Sequence, residues 1–330
     1  MTIAFNQSSV EAVPAGPGVR RQKLLGKEQV PDTNVVFERL TLDAGVTLRF
    51  EPAADSLIWF HLLAGEARLD TLYTNRMTEE HSALVPPAFV GALTTGKGAT
   101  LLYSEVLNVA PPASPTELPR LTVLNWTREP VFVSNRDTRK RVALVNDAVC
   151  GTKAARIEMV VYPQGTGSAS FHHEGAVSFI YVMSGRGSAF RNEQPFPVQE
   201  GSLVYFPERE PHHISAAADS ELRFLSFYVP GAFKTVWANP DKVSGWRLTR
   251  LDIHGREPLK DQIASPASGE AQAHSSSGLW QAAVIGTAAQ SRTDCERQAA
   301  ALATRHWQWK SGERCSALRC INAALATPRS

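Results

Sequence analysis

The sequence has little cysteine, and the few cysteines are badly placed for a disulfide or metal framework. Four occur in 330 residues, and three of them, Cys295, Cys315 and Cys320, are crowded near the C-terminus. They have no His or Cys partners at zinc-finger spacing, and four cysteines placed this way do not predict a disulfide framework. The cysteine usage therefore favours a reducing compartment, and we expect the protein to be cytoplasmic.

The sequence also has no long apolar run. None approaches the roughly 20 residues that span a bilayer as a helix. Residues 1–7 lack the charged start and apolar stretch of a secretory signal. We therefore expect a soluble protein without a membrane partner.

Charge of either sign is not in excess. The chain has 34 basic and 32 acidic residues, for a net charge of +2. A nucleic-acid-binding domain normally has a basic patch or stripe, and neither end of the chain shows a helical pair with basic recognition residues. The sequence therefore gives no support to a nucleic acid partner or to a transcription factor.

Short apolar or alternating runs, separated by turn residues, make up most of the chain. They recur closely from 35 to 110, as at 46–50, and again beyond 120, as at 179–183. Many short strands with frequent turns are typical of a β-sandwich or barrel. We predict an N-terminal arm at 1–34, a first β-domain at 35–110, a linker at 111–119, a second β-domain at 120–254, and a disordered or loosely packed tail at 255–330.

The two β-domains match each other at an offset of 120 residues without a gap. The identities are Gly45 with Gly165, Gly65 with Gly185, Glu80 with Glu200, Ser82 with Ser202, and Pro87 with Pro207. Most of them fall at turns or strand ends, where backbone geometry restricts the residue. We therefore predict two homologous domains.

Candidate metal ligands occur in the second copy and are missing from the first. His172, Glu174 and His212 stand where the first copy has Pro52, Ala54 and Ala92. Imidazoles and a carboxylate from neighbouring strands can form an open metal site. The asymmetry predicts that the second domain alone has the chemistry.

The spacing around these residues resembles that of the cupin family. Gly201 is followed by Pro207 after five residues and by His212 five further on, as in the second cupin motif, although Arg209 stands where that motif has glycine. The first motif matches in part, because Ser178 stands where the family has a glutamate ligand. The resemblance covers 157–230 as one cupin domain and 35–230 as a bicupin.

The resemblance implies an all-β fold. It consists of two tandem cupin barrels, each a double-stranded β-helix or jelly roll, followed by the tail. The N-terminal barrel would be degenerate and the C-terminal barrel would bear the metal site.

The first motif can be placed in two registers. Counting back from Gly185 puts the first histidine at His172 and the second ligand position at Glu174, whereas counting forward from Gly167 puts the first histidine at His173. We use Gly185, because a tight hairpin fixes strand register. Residues two apart on a strand share a face, so His172 and Glu174 should point together and His173 away. Replacement of either ligand by His173 remains an alternative.

In this register the predicted metal ligands are His172, Glu174 and His212. Ser178 and Tyr205 are the predicted catalytic residues. Ser178 would hydrogen-bond a ligand or a metal-bound water, and Tyr205 would shape an apolar pocket.

Two imidazoles and one carboxylate leave open positions on iron(II). We therefore expect an iron(II) oxygenase that acts on a small molecule of secondary or aromatic metabolism, with zinc, nickel or manganese as alternative metals. A metal-dependent isomerase, cyclase or lyase is a second hypothesis, and a non-catalytic small-molecule-binding bicupin is a third. Because bicupins often pair through their outer strands, a homodimer is a further hypothesis.

Overall fold

Runs of β-branched and aromatic residues determine the secondary structure, as at Val35–Leu42, where buried and half-buried side chains largely alternate. The computed structural model describes residues 3–71, 74–110 and 119–258. One short α-helix, α1 (Asp147–Cys150), occurs in these ranges beside single 3-10 turns. None of the described helices is long and apolar enough to cross a membrane. The predicted linker, apart from residue 119, and the predicted tail beyond residue 258 lie outside the described residues.

The first ten strands build the first barrel and one edge of the second. They are β1 (Ile3–Asn6), β2 (Val13–Pro14), β3 (Val19–Leu25), β4 (Val35–Leu42), β5 (Thr47–Phe50), β6 (Leu57–Asp70), β7 (Thr74–Met77), β8 (His81–Val85), β9 (Gly91–Val106) and β10 (Thr122–Asn125). Strands β2 to β10 form one curled sheet in the order β10–β8–β6–β9–β4–β3–β2, with β5 on β9 and β7 on β6.

The remaining strands build the second barrel. They are β11 (Phe132–Ser134), β12 (Lys140–Val145), β13 (Arg156–Tyr162), β14 (Phe171–Glu174), β15 (Val177–Arg191), β16 (Gln194–Gln199), β17 (Ser202–Phe206), β18 (His212–Ala216), β19 (Leu222–Val229), β20 (Lys234–Trp237) and β21 (Trp246–Leu248). Their sheet runs β20–β14–β18–β15–β19–β13–β12–β11–β21, with β16 on β15 and β17 between β15 and β1.

Each barrel includes one strand that lies, in sequence, with the other barrel. Strand β1 pairs antiparallel with β17 of the second barrel, with Ile3 opposite Tyr205. Strand β10, which follows the predicted linker, pairs with β8 of the first barrel. The segment that we expected to be an arm, 1–34, instead contributes β1 to the second sheet and β2 and β3 to the first. The exchange covers edges that would otherwise expose unpaired backbone groups.

The backbone reproduces the 120-residue repeat. Gly45 and Gly165 have φ values of 75° and 69°, and Gly65 and Gly185 have 85° and 80°. A Cβ at Gly185 would collide with the carbonyl oxygen of Glu221, so this hairpin requires glycine. Register shifts also recur 120 residues apart. The shift between Lys23 and Leu25 matches that between Ala143 and Val145, and the shift at 62–64 matches that at 182–184.

A shared aromatic core joins the two barrels. Phe37 of β4 packs edge-on against Phe179 and Phe227 of the second barrel, with ring centroids 5.2 and 5.1 Å apart. Phe179 stacks on Phe227 at 4.4 Å, and Trp59 of β6 meets the same ring at 5.2 Å. Since all four are nearly fully buried, the barrels should unfold as one unit.

We predict that Phe37→Ala destabilises both barrels together. Phe37 has no exposed surface, and truncating a buried phenylalanine costs about 3–5 kcal/mol. Urea unfolding followed by far-UV circular dichroism and by tryptophan fluorescence should show one transition at lower urea. Val90→Ala, at a side chain 75% exposed, should change the free energy of unfolding by less than about 0.5 kcal/mol. Two separated transitions in Phe37→Ala would contradict the shared core.

Candidate functional site

The second barrel encloses a cavity of about 270 Å³. Side chains from β12, β13, β14, β15, β18 and β19 line it. The polar ones in the argument below are Arg141, Arg156, Glu158, His173, Ser178 and His212. The apolar walls include Phe171, Phe206, Phe233 and Trp237. A small, largely apolar cavity with a few convergent polar groups is the usual form of a small-molecule site.

Strand β14 directs His173, and not His172, into this cavity. His173 is 4% exposed and lies with its ring centroid 5.3 Å from that of His212. Phe171, two residues earlier, pairs with His212 across the ladder and also lines the cavity. The side chain of His172 is 25% exposed on the other face of the strand.

The register that we chose fails at a turn. Counting back from Gly185 to Ser178 follows one continuous strand and correctly places Ser178 inside the barrel. Strand β14, however, ends at Glu174, and Gly175 has a φ of 85° before β15 begins. The turn changes the inward and outward alternation, so a count that assumes a continuous strand is wrong by one residue.

Glu174 lies with His172 on the outer face. Its carboxylate is 3.6 Å from the Lys234 ammonium and 3.9 Å from both the His172 imidazole and the Arg209 guanidinium. The structure therefore separates two of the three predicted ligands from His212.

The two predicted catalytic residues lie on opposite faces of the sheet. Ser178 is 4% exposed and lines the cavity. Tyr205 belongs to the core shared by the barrels, where burial raises the pKa of its hydroxyl. It does not line the cavity, because neighbouring residues on β17 alternate between the two sides and Phe206 takes the inner one.

The loop before β18 aligns both inward histidines. Arg209, where the cupin motif has glycine, adopts the left-handed conformation with a φ of 63°. Its amide donates to the carbonyl of His173 at 2.8 Å. The carbonyl of Glu210 lies 2.7 Å from Nδ1 of His212. A side chain at φ above zero is strained, so the loop keeps the backbone shape of the motif without its residue.

Both inward imidazoles are neutral near pH 7. Burial, with a contribution from the neighbouring His212, lowers the pKa of His173 to about 3. Burial also lowers the pKa of His212 to about 4, against the opposing effect of its bond to Glu210. A proton on Nδ1 of His212 donates to the Glu210 carbonyl, which leaves Nε2 with its lone pair.

Nδ1 of His173 also lies beside an oxygen, in this case a hydroxyl, which can accept or donate a hydrogen bond. Its Nδ1 lies 3.3 Å from the Thr235 hydroxyl, whereas its Nε2 is buried without a hydrogen-bond partner. In metal sites, a ligating histidine is commonly oriented by a hydrogen bond at its other ring nitrogen. The two rings therefore suit a divalent ion as nitrogen donors.

A third protein donor does not join them. Within the described ranges, no group of three His, Cys, Asp or Glu side chains is placed to hold a metal ion. Glu158, the carboxylate in the cavity, is held by Arg156 at 2.7 Å and by Arg141 at 3.3 Å. Burial alone would raise the pKa of Glu158, but the two guanidinium groups hold it below its usual value. The described donors are therefore two imidazoles, and they do not form the two-histidine, one-carboxylate set expected for iron(II).

The sequence motifs did not reveal the arginines and the glutamate of the cavity. Arg139, Arg141, Arg156 and Glu158 lie on or beside β12 and β13, outside both cupin motifs. A usable signal was present in the repeat, because Arg139 and Arg156 stand 120 residues after Val19 and Val36. Charged residues at positions that are apolar in a homologous copy indicate a role other than packing.

Comparison with known proteins agrees with this architecture. Residues 158–228 match the Cupin domain family. An uncharacterized protein of Methanocaldococcus jannaschii is 28% identical over 80 residues, which are 24% of this chain and 63% of that protein. The chain thus spans less than two thirds of the length of this curated relative.

Two solved structures share the fold. The E. coli protein Ylba superposes with a TM-score of 0.57 at 10% identity, over 70% of this chain and 91% of that one. Bacillus subtilis oxalate decarboxylase, a protein with Mn(II) centres, superposes with a TM-score of 0.56 at 14% identity, over 71% and 79%. At these identities the likeness shows the fold alone.

Buried histidines should make the stability of the metal-free protein depend on pH. Burial lowers the pKa of His61, which pairs with Ser82 in the first barrel, to about 3, as it does for His173. Because these folded values lie below the unfolded value of about 6.5, the unfolded chain binds protons first as the pH falls. The contribution of these histidines to the free energy of unfolding is complete above about pH 6.5 and is lost as the pH falls towards 4 and below. Urea unfolding over this range should show the loss, and His61→Gln should make it shallower. An identical profile in His61→Gln would contradict this account.

Proposed function

Since the chain contains a cupin domain at 158–228 within a fold of two cupin barrels, we propose that its second barrel is a metal-dependent site for a small molecule. His173 and His212 would hold a divalent ion in the cavity. The first barrel would serve as the platform on which that site is built.

One observation carries this proposal. Two neutral, buried imidazoles meet in the cavity, each with Nδ1 beside an oxygen, and Nε2 of His173 has no partner. A buried nitrogen without a partner is destabilising unless a ligand completes it. A metal ion between the rings would do so.

A divalent ion bound there would act as a Lewis acid towards an oxygen of the bound molecule. The chain's own side chains would do the rest. Phe206 stacks on the His212 ring at 4.1 Å and holds it in place. Phe171, Phe233 and Trp237 line the cavity and would limit the access of water, and the Ser178 hydroxyl would hydrogen-bond the ligand.

The choice of metal follows from the donors. Imidazole nitrogens suit zinc, copper, iron and nickel, and oxygen donors from ligand or water would suit manganese. The narrower assignment as an iron(II) oxygenase was predicted from a carboxylate ligand, and Glu174 lies outside the barrel. Oxygen uptake by iron-loaded protein with candidate substrates tests that assignment. Turnover without oxygen would instead favour an isomerase, cyclase or lyase.

A second candidate function is small-molecule binding without a metal. It is favoured by the lack of a three-donor group among the described residues. In that case the free nitrogens of His173 and His212 would hydrogen-bond the ligand directly.

Metal analysis with matched variants tests the proposal. We expect protein loaded anaerobically with Mn(II) or Fe(II), then desalted, to retain a near-stoichiometric ion. His173→Ala and His212→Ala should lose it, because each removes one of two donors. His172→Ala and Glu174→Ala serve as controls on the outer face of the same strand, and they should retain the ion. Elemental analysis and the Mn(II) paramagnetic resonance signal are the measurements.

The opposite pattern would identify the other ligand set. Loss of the ion in His172→Ala and Glu174→Ala, with retention in His173→Ala, would establish His172, Glu174 and His212 as the ligands. No retained ion in the unsubstituted protein would overturn metal dependence and leave the metal-free binding function.

A further inference from the structure

Guanidinium groups crowd one wall of the cavity in the second barrel. Arg139, Arg141 and Arg156 line it, whereas Glu158 is the one carboxylate among its described lining residues. Asp137, which pairs with Arg139 at 2.7 Å, is a second carboxylate nearby. Three arginines against two carboxylates leave one positive charge, before any metal ion is counted.

Two of these arginines already donate hydrogen bonds to neighbouring side chains. Arg139 is 2% exposed, and all three of its nitrogens donate hydrogen bonds. Its partners are Asp137, Tyr162 and Ser244. Arg156 directs Nε and Nη2 to one oxygen of Glu158, at 3.0 and 2.7 Å. Neither is the obvious anchor for a further anion.

Arg141 has a hydrogen-bond donor without a partner. Its Nη1 lies 3.3 Å from Glu158, and its guanidinium lies over the Trp246 ring at 4.6 Å. Its Nε, however, is buried without a hydrogen-bond partner. A carboxylate oxygen of a bound molecule would give this N–H an acceptor.

The first barrel forms a corresponding cavity without the additional arginines. It has the corresponding ion pair, Arg21 with Glu38 at 3.7 Å. The places of the other two arginines are taken by Val19 and Val36. Among the described residues that line its corresponding cavity, four basic side chains meet four acidic ones. The unbalanced positive charge is therefore particular to the barrel with the histidine pair.

We propose that the ligand of the second barrel is a small organic acid whose carboxylate is bound by Arg141. This inference rests on the proposed function, because it names the ligand class of the same cavity. The histidines lie on β14 and β18 and Arg141 lies on β12, so a single molecule would reach from one wall to the other.

The rest of the ligand is small and apolar or aromatic. A cavity of about 270 Å³ lies just below the range of about 300–1,000 Å³ that takes drug-sized molecules. Rings of Phe171, Phe206, Tyr228 and Trp237 supply flat apolar walls. The class is thus a short aliphatic or single-ring carboxylic acid.

Paired acids and amides test this inference. Calorimetric titration would use acetate, oxalate, benzoate and phenylpyruvate, each beside its neutral amide, with Mn(II)-loaded and with metal-stripped protein. We expect at least one acid to bind more than about tenfold tighter than its amide, as a charge-assisted bond to arginine requires. Arg141→Met should remove that preference. Arg223→Met is the matched control, because Arg223 also has a buried, unpartnered Nε but lies outside the cavity.

A second variant, Glu158→Gln, distinguishes a lost carboxylate contact from misfolding. It removes the carboxylate that competes for Arg141, so it should tighten acid binding, which a misfolded variant would not do. Equal binding of acids and amides, binding of no acid, or an unchanged preference in Arg141→Met would overturn the inference. Manganese content measured on the same samples separates this failure from failure of the metal site.

Discussion

Stacking of Phe179 on Phe227 decides which side of the second barrel faces its neighbour and which side faces the cavity. The two rings lie 4.4 Å apart and nearly parallel in the core between the barrels. Side chains on a strand alternate between its two faces. Because Phe179 and Phe227 point into the shared core, their neighbours Ser178, Ser226 and Tyr228 point into the cavity. The apolar interface therefore positions the polar site.

The same constraint governs the adjoining strands. On β13, Met159 packs into the shared core while Glu158 enters the cavity. On β17, Tyr205 takes the core side and Phe206 the cavity side. Reversing β13 would place the Arg156–Glu158 ion pair in the aromatic core, where desolvating a charge is costly. Burial of aromatic area and exclusion of charge thus select one register for all these strands.

Much of the fold could be predicted because it rests on local rules. Turn glycines such as Gly65 and Gly185 have positive φ values and no space for a Cβ, so they mark the repeat directly. His212 and Ser178 were correctly expected to lie near each other, since an unbroken strand or a fixed motif leads to each. His173 could not be separated from His172, because one turn residue, Gly175, changes the alternation. Such a change depends on how β14 pairs with β18 and β20, which no local pattern specifies.

A few residue replacements distinguish the interior of the first barrel from that of the second. Ile58 and Phe60 stand in the first barrel where the second has Ser178 and Ile180. Phe60 stacks on Phe50 at 5.0 Å inside its own barrel. A buried charge needs surroundings that hold its partners rigidly, because the attraction offsets desolvation only at good geometry. The first barrel, joined to the second through one aromatic core, supplies that rigidity.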